Sequence, residues 1–158
     1  MITYTLLSPL LAMVLAQAIK IPIYFFISKK WMWSLFFSTG GMPSSHTATV
    51  IALTTAVGMA EGWDSNLFVI CLVFSAIVMH DATGVRRHAG YHAQILNQLL
   101  HDFNQLLVSL KKSSSGELNH YQRRKLKEIL GHKPIEVFCG ALFGAAIALA
   151  IYPFYFAE

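Results

Sequence analysis

The chain has 158 residues, of which 55% are hydrophobic and only 13% are charged, with a formal net charge of +4 at pH 7. Soluble domains carry about 25% charged residues, so this balance argues against an ordinary soluble enzyme and indicates a membrane protein. Cys71 and Cys139 both lie inside apolar blocks, which argues against a disulfide framework. The length predicts one membrane domain, residues 1–158.

Long apolar stretches predict an all-α integral membrane helical bundle with about four transmembrane helices. The first stretch has no small-residue cleavage site, so it predicts an anchored helix and not a removed signal peptide. The second and third are short for lone spans, which leaves buried helices of a soluble bundle as an alternative. The last contains Gly140-x-x-x-Gly144, a pattern typical of close helix packing in membranes. The predicted spans are residues 4–27, 46–61, 66–80 and 135–155.

The segment 81–134, between the third and last spans, has a different pattern. Apolar residues recur at helical spacing from Ile95 to Leu110, which predicts an amphipathic helix within Arg86 to Lys111. Such a helix either packs against a partner helix, which would make a homodimer, or lies in the membrane interface. Residues 111–119 read as a flexible connection and 121–130 as a short basic helix.

The basic residues fall on one side of the predicted membrane topology. Outside the spans, every Lys and Arg lies on the side that carries residues 28–45 and 80–134, and Lys20 lies toward that end of the first span. By the positive-inside bias this side is cytoplasmic. Because these charges track the membrane edge, nucleic-acid binding is not expected, and membrane lipids are the expected surroundings.

The first chemical pattern is the loop from Gly40 to His46, followed by an apolar helix. Glycines permit a tight turn, and Pro43 with Ser44 predicts the first turn of a helix whose N–H groups and serine hydroxyl can hold an anion. His46 would lie beside that anion as an acid or base. The alternative is structural, since paired serines commonly cap helices.

The second chemical pattern is His132 followed by Glu136. At i and i+4 the two side chains would share one helix face, and a carboxylate on one imidazole nitrogen leaves the other free to attack or to accept a proton. An incidental pair at the start of the last span is the alternative. Asp81, just before two arginines, predicts an ion pair that organises the same membrane face. The spacing of His88 and His92 is compatible with a metal, although solvated interfacial histidines are the preferred reading and no metal is predicted.

These residues resemble a known family. Pro-Ser-Ser-His with the distant His-x-x-x-Glu-Val-x-x-Gly is similar to the second and third motifs of the type 2 phosphatidic acid phosphatase and vanadium haloperoxidase superfamily. The strings from Phe37 to His46 and from Asp81 to Gly90 resemble its small divergent branch, and the resemblance spans nearly the whole chain. It implies a bacterial plasma-membrane protein that needs no cofactor.

The resemblance also implies roles for individual residues. His132 would form a phosphohistidine, Glu136 would orient it, and His46 would protonate the leaving alkoxide and later activate water. The predicted phosphate-binding residues are Lys20, Ser44, Ser45, Arg86, Arg87 and Lys30, and the supporting residues are Asp81 and Gly41.

This sequence departs from the family pattern at several positions. Ser45 replaces the usual glycine, Glu136 the usual aspartate and Leu126 an arginine, and the Arg-Pro expected after Lys20 is missing. Two functions are therefore predicted. The preferred one is a membrane phosphatase acting on a lipid phosphomonoester of the phosphatidic acid, phosphatidylglycerophosphate or polyprenyl phosphate class at the cytoplasmic face. The alternative is a non-catalytic membrane protein that uses the pocket to bind an anionic headgroup or to assemble with partners.

Overall fold

The computed structural model describes residues 2–38, 40–111 and 131–156, and within them it contains helices and no β-strand. The flexible connection expected at 112–119 and the basic helix expected at 121–130 lie outside the described residues. A short 3-10 helix, Trp33–Phe37, follows the first α-helix. The α-helices are α1 (Ile2–Ser28), α2 (Ser45–Glu61), α3 (Asn66–Thr83), α4 (Val85–Lys111) and α5 (Pro134–Phe156).

Local sequence explains where the helices begin and end. Ser44 caps α2 by accepting a hydrogen bond from the Thr47 N–H, and Ser65 caps α3 in the same way through Phe68. α2 therefore begins at Ser45, two residues later than a first turn that starts at Pro43 would place it. Gly62, at φ +99°, ends α2 and starts the tight turn that joins α2 to α3.

α2 is the central helix, since it packs against α1, α3 and α5. The seams are built from small residues, so the backbones approach closely. Gly140 and Gly144 of α5 lie against the backbone carbonyls of Ser44 and Ala48, where a β-carbon would collide. This confirms the predicted glycine seam. The buried core cluster is correspondingly small-sided and consists of Tyr4, Ala12, Ala16, Ala48, Ala52, Ala56 and Ala148.

The large apolar side chains lie outside this core and cover the bundle surface. α1, α3 and α5 are long and apolar enough to cross a membrane, whereas α2, with 17 residues, is about 25 Å long and is shielded by the other three. This arrangement is that of a helical membrane bundle, and it does not fit the soluble alternative. Exposed examples are Leu6, Leu10, Phe26, Leu67, Ile70, Val73, Ile77, Leu142, Leu149 and Phe154.

A buried pair of hydroxyls joins α2 to α3. The Thr54 and Ser75 hydroxyl oxygens are 2.8 Å apart, and each also lies within hydrogen-bond distance of a backbone carbonyl on the other helix, Cys71 for Thr54 and Val50 for Ser75. Polar pairs of this kind stabilise helix contacts in membranes modestly.

We expect Thr54→Val, which keeps the side-chain shape, to lower the free energy of unfolding by about 1 kcal/mol, because the hydrogen bonds between the helices are lost. Equilibrium unfolding in mixed detergent measures the change. The matched control is Thr55→Val, since the Thr55 side chain makes no hydrogen bond within the described part of the chain. Equal destabilisation by both variants would contradict the prediction.

Candidate functional site

The predicted site residues converge at one end of the bundle from segments far apart in sequence. The end of α3, the first turn of α4 and the residues before α5 meet there, joined by hydrogen bonds and backbone contacts. The first turn of α2 and Lys20 of α1 lie at the same end. His46 has electrostatic interactions with Arg86, His132, Lys20 and Asp81, so these five side chains lie near one another.

The contact between His132 and Glu136 is present, but a different local structure makes it. His132 Nδ1 lies 2.9 Å from Glu136 Oε2. α5 begins only at Pro134, so His132 precedes the helix and the expected shared helix face is wrong. Glu136 instead occupies the third helical position and accepts the Lys133 N–H at 3.3 Å, as in a capping box. The carboxylate that caps α5 thereby also fixes the imidazole.

Backbone contacts hold His132 from the other side. Its N–H donates to the Ala82 carbonyl at 3.0 Å, which ties it to the end of α3. The preceding residue, Gly131, has φ +86° and lies directly against the Arg86–Arg87 backbone, so a β-carbon there would collide. The imidazole is only 2% exposed, and its Nε2 is buried without a hydrogen-bond partner in the described part of the chain. A buried polar atom without a partner is costly, so Nε2 is the ring nitrogen of His132 that is available to a bound group.

His46 lies beside this atom at the start of α2. The rings of His46 and His132 pack edge to face with 6.3 Å between their centroids. His46 is partly exposed, whereas Ser45 is buried. Ser45 and His46 are the first two residues of α2, so their N–H groups have no partner within the helix and are able to hold an anion.

Ser44 is placed more deeply than its neighbours. It is 0% exposed, its N–H donates to the Glu136 carbonyl at 3.0 Å, and it packs where Gly140 crosses α2. Its hydroxyl oxygen accepts hydrogen bonds from the Thr47 N–H at 3.4 Å and the Thr47 hydroxyl at 3.0 Å. Ser44 therefore links the α2 cap to α5, and only its own hydroxyl proton remains to donate.

Lys20 supplies a buried cation although it lies on a helix apolar enough to span the membrane. Its side chain is 3% exposed, and Nζ donates to the Ser38 carbonyl at 3.3 Å. The Gly41 position lies beside its aliphatic stem, and Glu136 acts on it electrostatically. An ammonium has three donors, so the Ser38 contact leaves capacity for an anion. A buried charge needs such compensation.

The predicted ion pair at the α3–α4 junction is formed. Arg86 Nε lies 2.6 Å from Asp81 Oδ2, and the Arg86 side chain is 48% exposed. Arg87 turns instead to Tyr91, whose hydroxyl accepts from Nε at 3.1 Å. Of the two arginines, Arg86 is the one that interacts electrostatically with His46.

Lys30 is exposed in the segment after α1 and makes no hydrogen bond within the described residues. His88 and His92 are both exposed on α4, and among the described residues no group of three His, Cys, Asp or Glu side chains could hold a metal ion.

Several groups that hold the site were missed in the sequence. The carbonyls of Ser38 and Ala82 are backbone atoms, so no residue type signals them. Thr47 and Gly131 did carry signals. A hydroxyl three residues after a serine cap can bond that serine, and a glycine immediately before a motif histidine indicates a special backbone conformation or a close approach.

Together these groups can hold a tetrahedral anion between helix N–H groups, one buried ammonium and two imidazoles. His132 Nε2 has no hydrogen-bond partner among the described residues and the His46 ring lies beside the His132 ring, so the two histidines are of the types that nucleophilic and proton-transfer chemistry use. Preorganised donors of this kind stabilise developing negative charge.

Comparison with known proteins agrees with the motifs. Residues 2–147 match the sequence model of the Divergent PAP2 family. The chain is also 49% identical over 152 residues to the "Uncharacterized membrane protein YuiD" of Bacillus subtilis (strain 168), covering 96% of both chains. No solved structure matches the chain.

Proposed function

We propose that this chain, which belongs to the Divergent PAP2 family of membrane proteins, hydrolyses a lipid phosphomonoester through a phosphohistidine at His132. The observation that carries the proposal is His132 itself. One ring nitrogen is fixed by Glu136, the other is buried without a hydrogen-bond partner among the described residues, and the ring lies beside His46. Most buried side-chain polar atoms have a partner, so this nitrogen is a candidate for reaction with a bound group.

In the proposed reaction, His132 Nε2 attacks phosphorus, forming a P–N bond while the P–O bond to the lipid breaks. His46 donates a proton to the departing alkoxide, so the lipid leaves as an alcohol. His46 then accepts a proton from water, whose oxygen attacks phosphorus and breaks the P–N bond to release inorganic phosphate. Glu136 holds the imidazole in one orientation through both steps.

The phosphoryl oxygens would be held by Lys20, the first N–H groups of α2 and Arg86, with Arg87 and Lys30 as weaker candidates. Arg86 offers a replacement for the missing family arginines, since it lies at the junction that supports His132 and its charge acts on His46. In this scheme it leaves or shares its contact with Asp81 when substrate binds. The charge distribution supports a site that faces the cytoplasmic leaflet, where phosphatidic acid, phosphatidylglycerophosphate and polyprenyl phosphates are candidate substrates.

The first test is phosphate release by purified protein from a panel of these lipid phosphates, with a metal chelator present and with and without vanadate. We expect phosphate release that resists the chelator and is inhibited by vanadate, since vanadate resembles the phosphoryl group in the transition state of its transfer. Folded protein that releases no phosphate from any lipid would instead favour a headgroup-binding protein. The engagement of Arg86 by Asp81 is the structural observation that favours this second function.

We expect Lys20→Met to weaken vanadate inhibition by about 10- to 100-fold, as for the loss of one charge-assisted hydrogen bond. Methionine is unbranched and only one atom shorter than lysine, so packing along the stem should change little. Inhibition curves at several vanadate concentrations measure the effect, and Lys29→Met, at an exposed lysine, is the matched control. Unchanged inhibition in Lys20→Met would remove Lys20 from the phosphate site.

A further inference from the structure

α4 presents an apolar stripe that nothing in the described part of the chain covers. The helix has 27 residues, about 40 Å in length, and among the helices it packs only against α3. Beyond Ala93 none of its described side chains is buried. The stripe, which we call the α4 apolar face, consists of Ile95, Leu96, Leu99, Leu100, Phe103, Leu106 and Leu107, most of them more than half exposed.

The start of α4 is fixed at the end of the membrane bundle. Only Gly84 separates it from α3, and its first turn lies against Gly131, three residues before α5 begins. Because α3 and α5 are both apolar enough to cross the membrane, their ends mark its surface. α4 therefore leaves the bundle at that surface, next to the exposed apolar side chains of α3.

The width of the α4 apolar face fits a lipid surface better than a second copy of the helix. At 100° per residue the stripe covers about 140° of the circumference, wider than the narrow seam of a two-stranded coiled coil. The polar side carries mainly amides and histidines, with Val108 as the apolar exception. Between His88 and Leu110 the only Asp, Glu, Lys or Arg is Asp102, so the flanking charges that set register in a helix pair are absent.

The basic residues of α4 are at its two ends, Arg86 and Arg87 at the start and Lys111 at the end. At a membrane surface Arg86 and Arg87 can meet anionic headgroups. We infer that α4 lies in the headgroup region of the membrane with its apolar face toward the acyl chains. It would then flank the candidate site and anchor the α3–α4 junction that supports His132.

The test places one nitroxide spin label at a time along α4 in the full-length protein, after Cys71→Ala and Cys139→Ala. Labels on the apolar face replace Ile95, Leu99, Phe103 and Leu106, and labels on the polar side replace Gln94, Gln98, His101 and Gln105. In vesicles of zwitterionic and anionic lipid, we expect the ratio of oxygen accessibility to water-soluble nickel-complex accessibility to be several-fold higher on the apolar face. Oxygen concentrates in lipid, whereas the nickel complex stays in water.

Two outcomes would overturn the inference. Low accessibility to both reagents on the apolar face, with spin–spin broadening between labels, would show that a second copy covers it, as the homodimer prediction requires. High nickel accessibility at every position would place α4 in water. The eight labelled residues are all exposed and the two cysteines are partly exposed, so folding should be preserved, and the measurement does not depend on phosphatase activity.

Discussion

His132→Ala should abolish phosphate release, with a loss of about a thousandfold or more, because it removes the proposed nucleophile. Removal of a nucleophile blocks the chemical step, so the loss of rate should be larger than the loss caused by removing a binding group. Initial rates at saturating lipid phosphate in detergent micelles measure the loss, which should appear in kcat.

The matched control for this loss is His88→Ala, which removes an exposed histidine from the first turns of α4. It should keep the activity of the parent protein. Because His132 is buried, its alanine variant must also keep the elution profile and thermal stability of the parent. A folded His132→Ala protein that retains half of the activity would exclude His132 as the nucleophile.

Gly144→Leu should prevent normal packing of α5 on α2. A β-carbon at Gly144 would collide with the Ala48 backbone, which has no flexible end that could move aside. Overpacking of this kind costs about 2–3 kcal/mol, and in a seam built on close backbone approach the helices must separate. We expect a lower thermal unfolding temperature in detergent and a smaller yield of folded protein.

The control for the glycine seam is Ala146→Leu on the same helix. Ala146 is exposed on the outer surface of α5, so a larger apolar side chain there should leave stability nearly unchanged. If Gly144→Leu were as stable as Ala146→Leu, the close approach of α2 and α5 would be wrong. The site would then lose the contact that brings Ser44 to Glu136.

Most of the fold could be predicted because the length of an apolar stretch and a serine at its start are local features of the sequence that mark where a helix lies. The four apolar stretches lie within α1, α2, α3 and α5, and the hairpin turn follows from Gly62. The glycine seam was also readable, since small residues four apart mark close packing. The separation of α3 from α4 by Gly84 alone was harder to predict, because a single glycine neither requires nor excludes a break between two helices.

The site was predictable in composition but less so in geometry. His46, Lys20, Glu136 and His132 meet as their motifs indicate, yet the His132 contact arises from the cap of α5 and not from helix periodicity. Spacing alone cannot separate these cases, since i and i+4 satisfy both. The Ala82 carbonyl that holds His132 is a tertiary contact with no side-chain signal.

If His132 carries the phosphoryl group during turnover, rapid acid-free quenching with a lipid phosphate labelled in its phosphoryl group should trap that intermediate. We expect a protein-bound label that is stable to alkali and labile to acid, located by peptide mass spectrometry on His132. That label should be missing from His132→Ala and should accumulate in His46→Gln, which lacks the group proposed to activate water. Label on another residue, or turnover with no label on the protein at any time, would contradict the phosphohistidine mechanism.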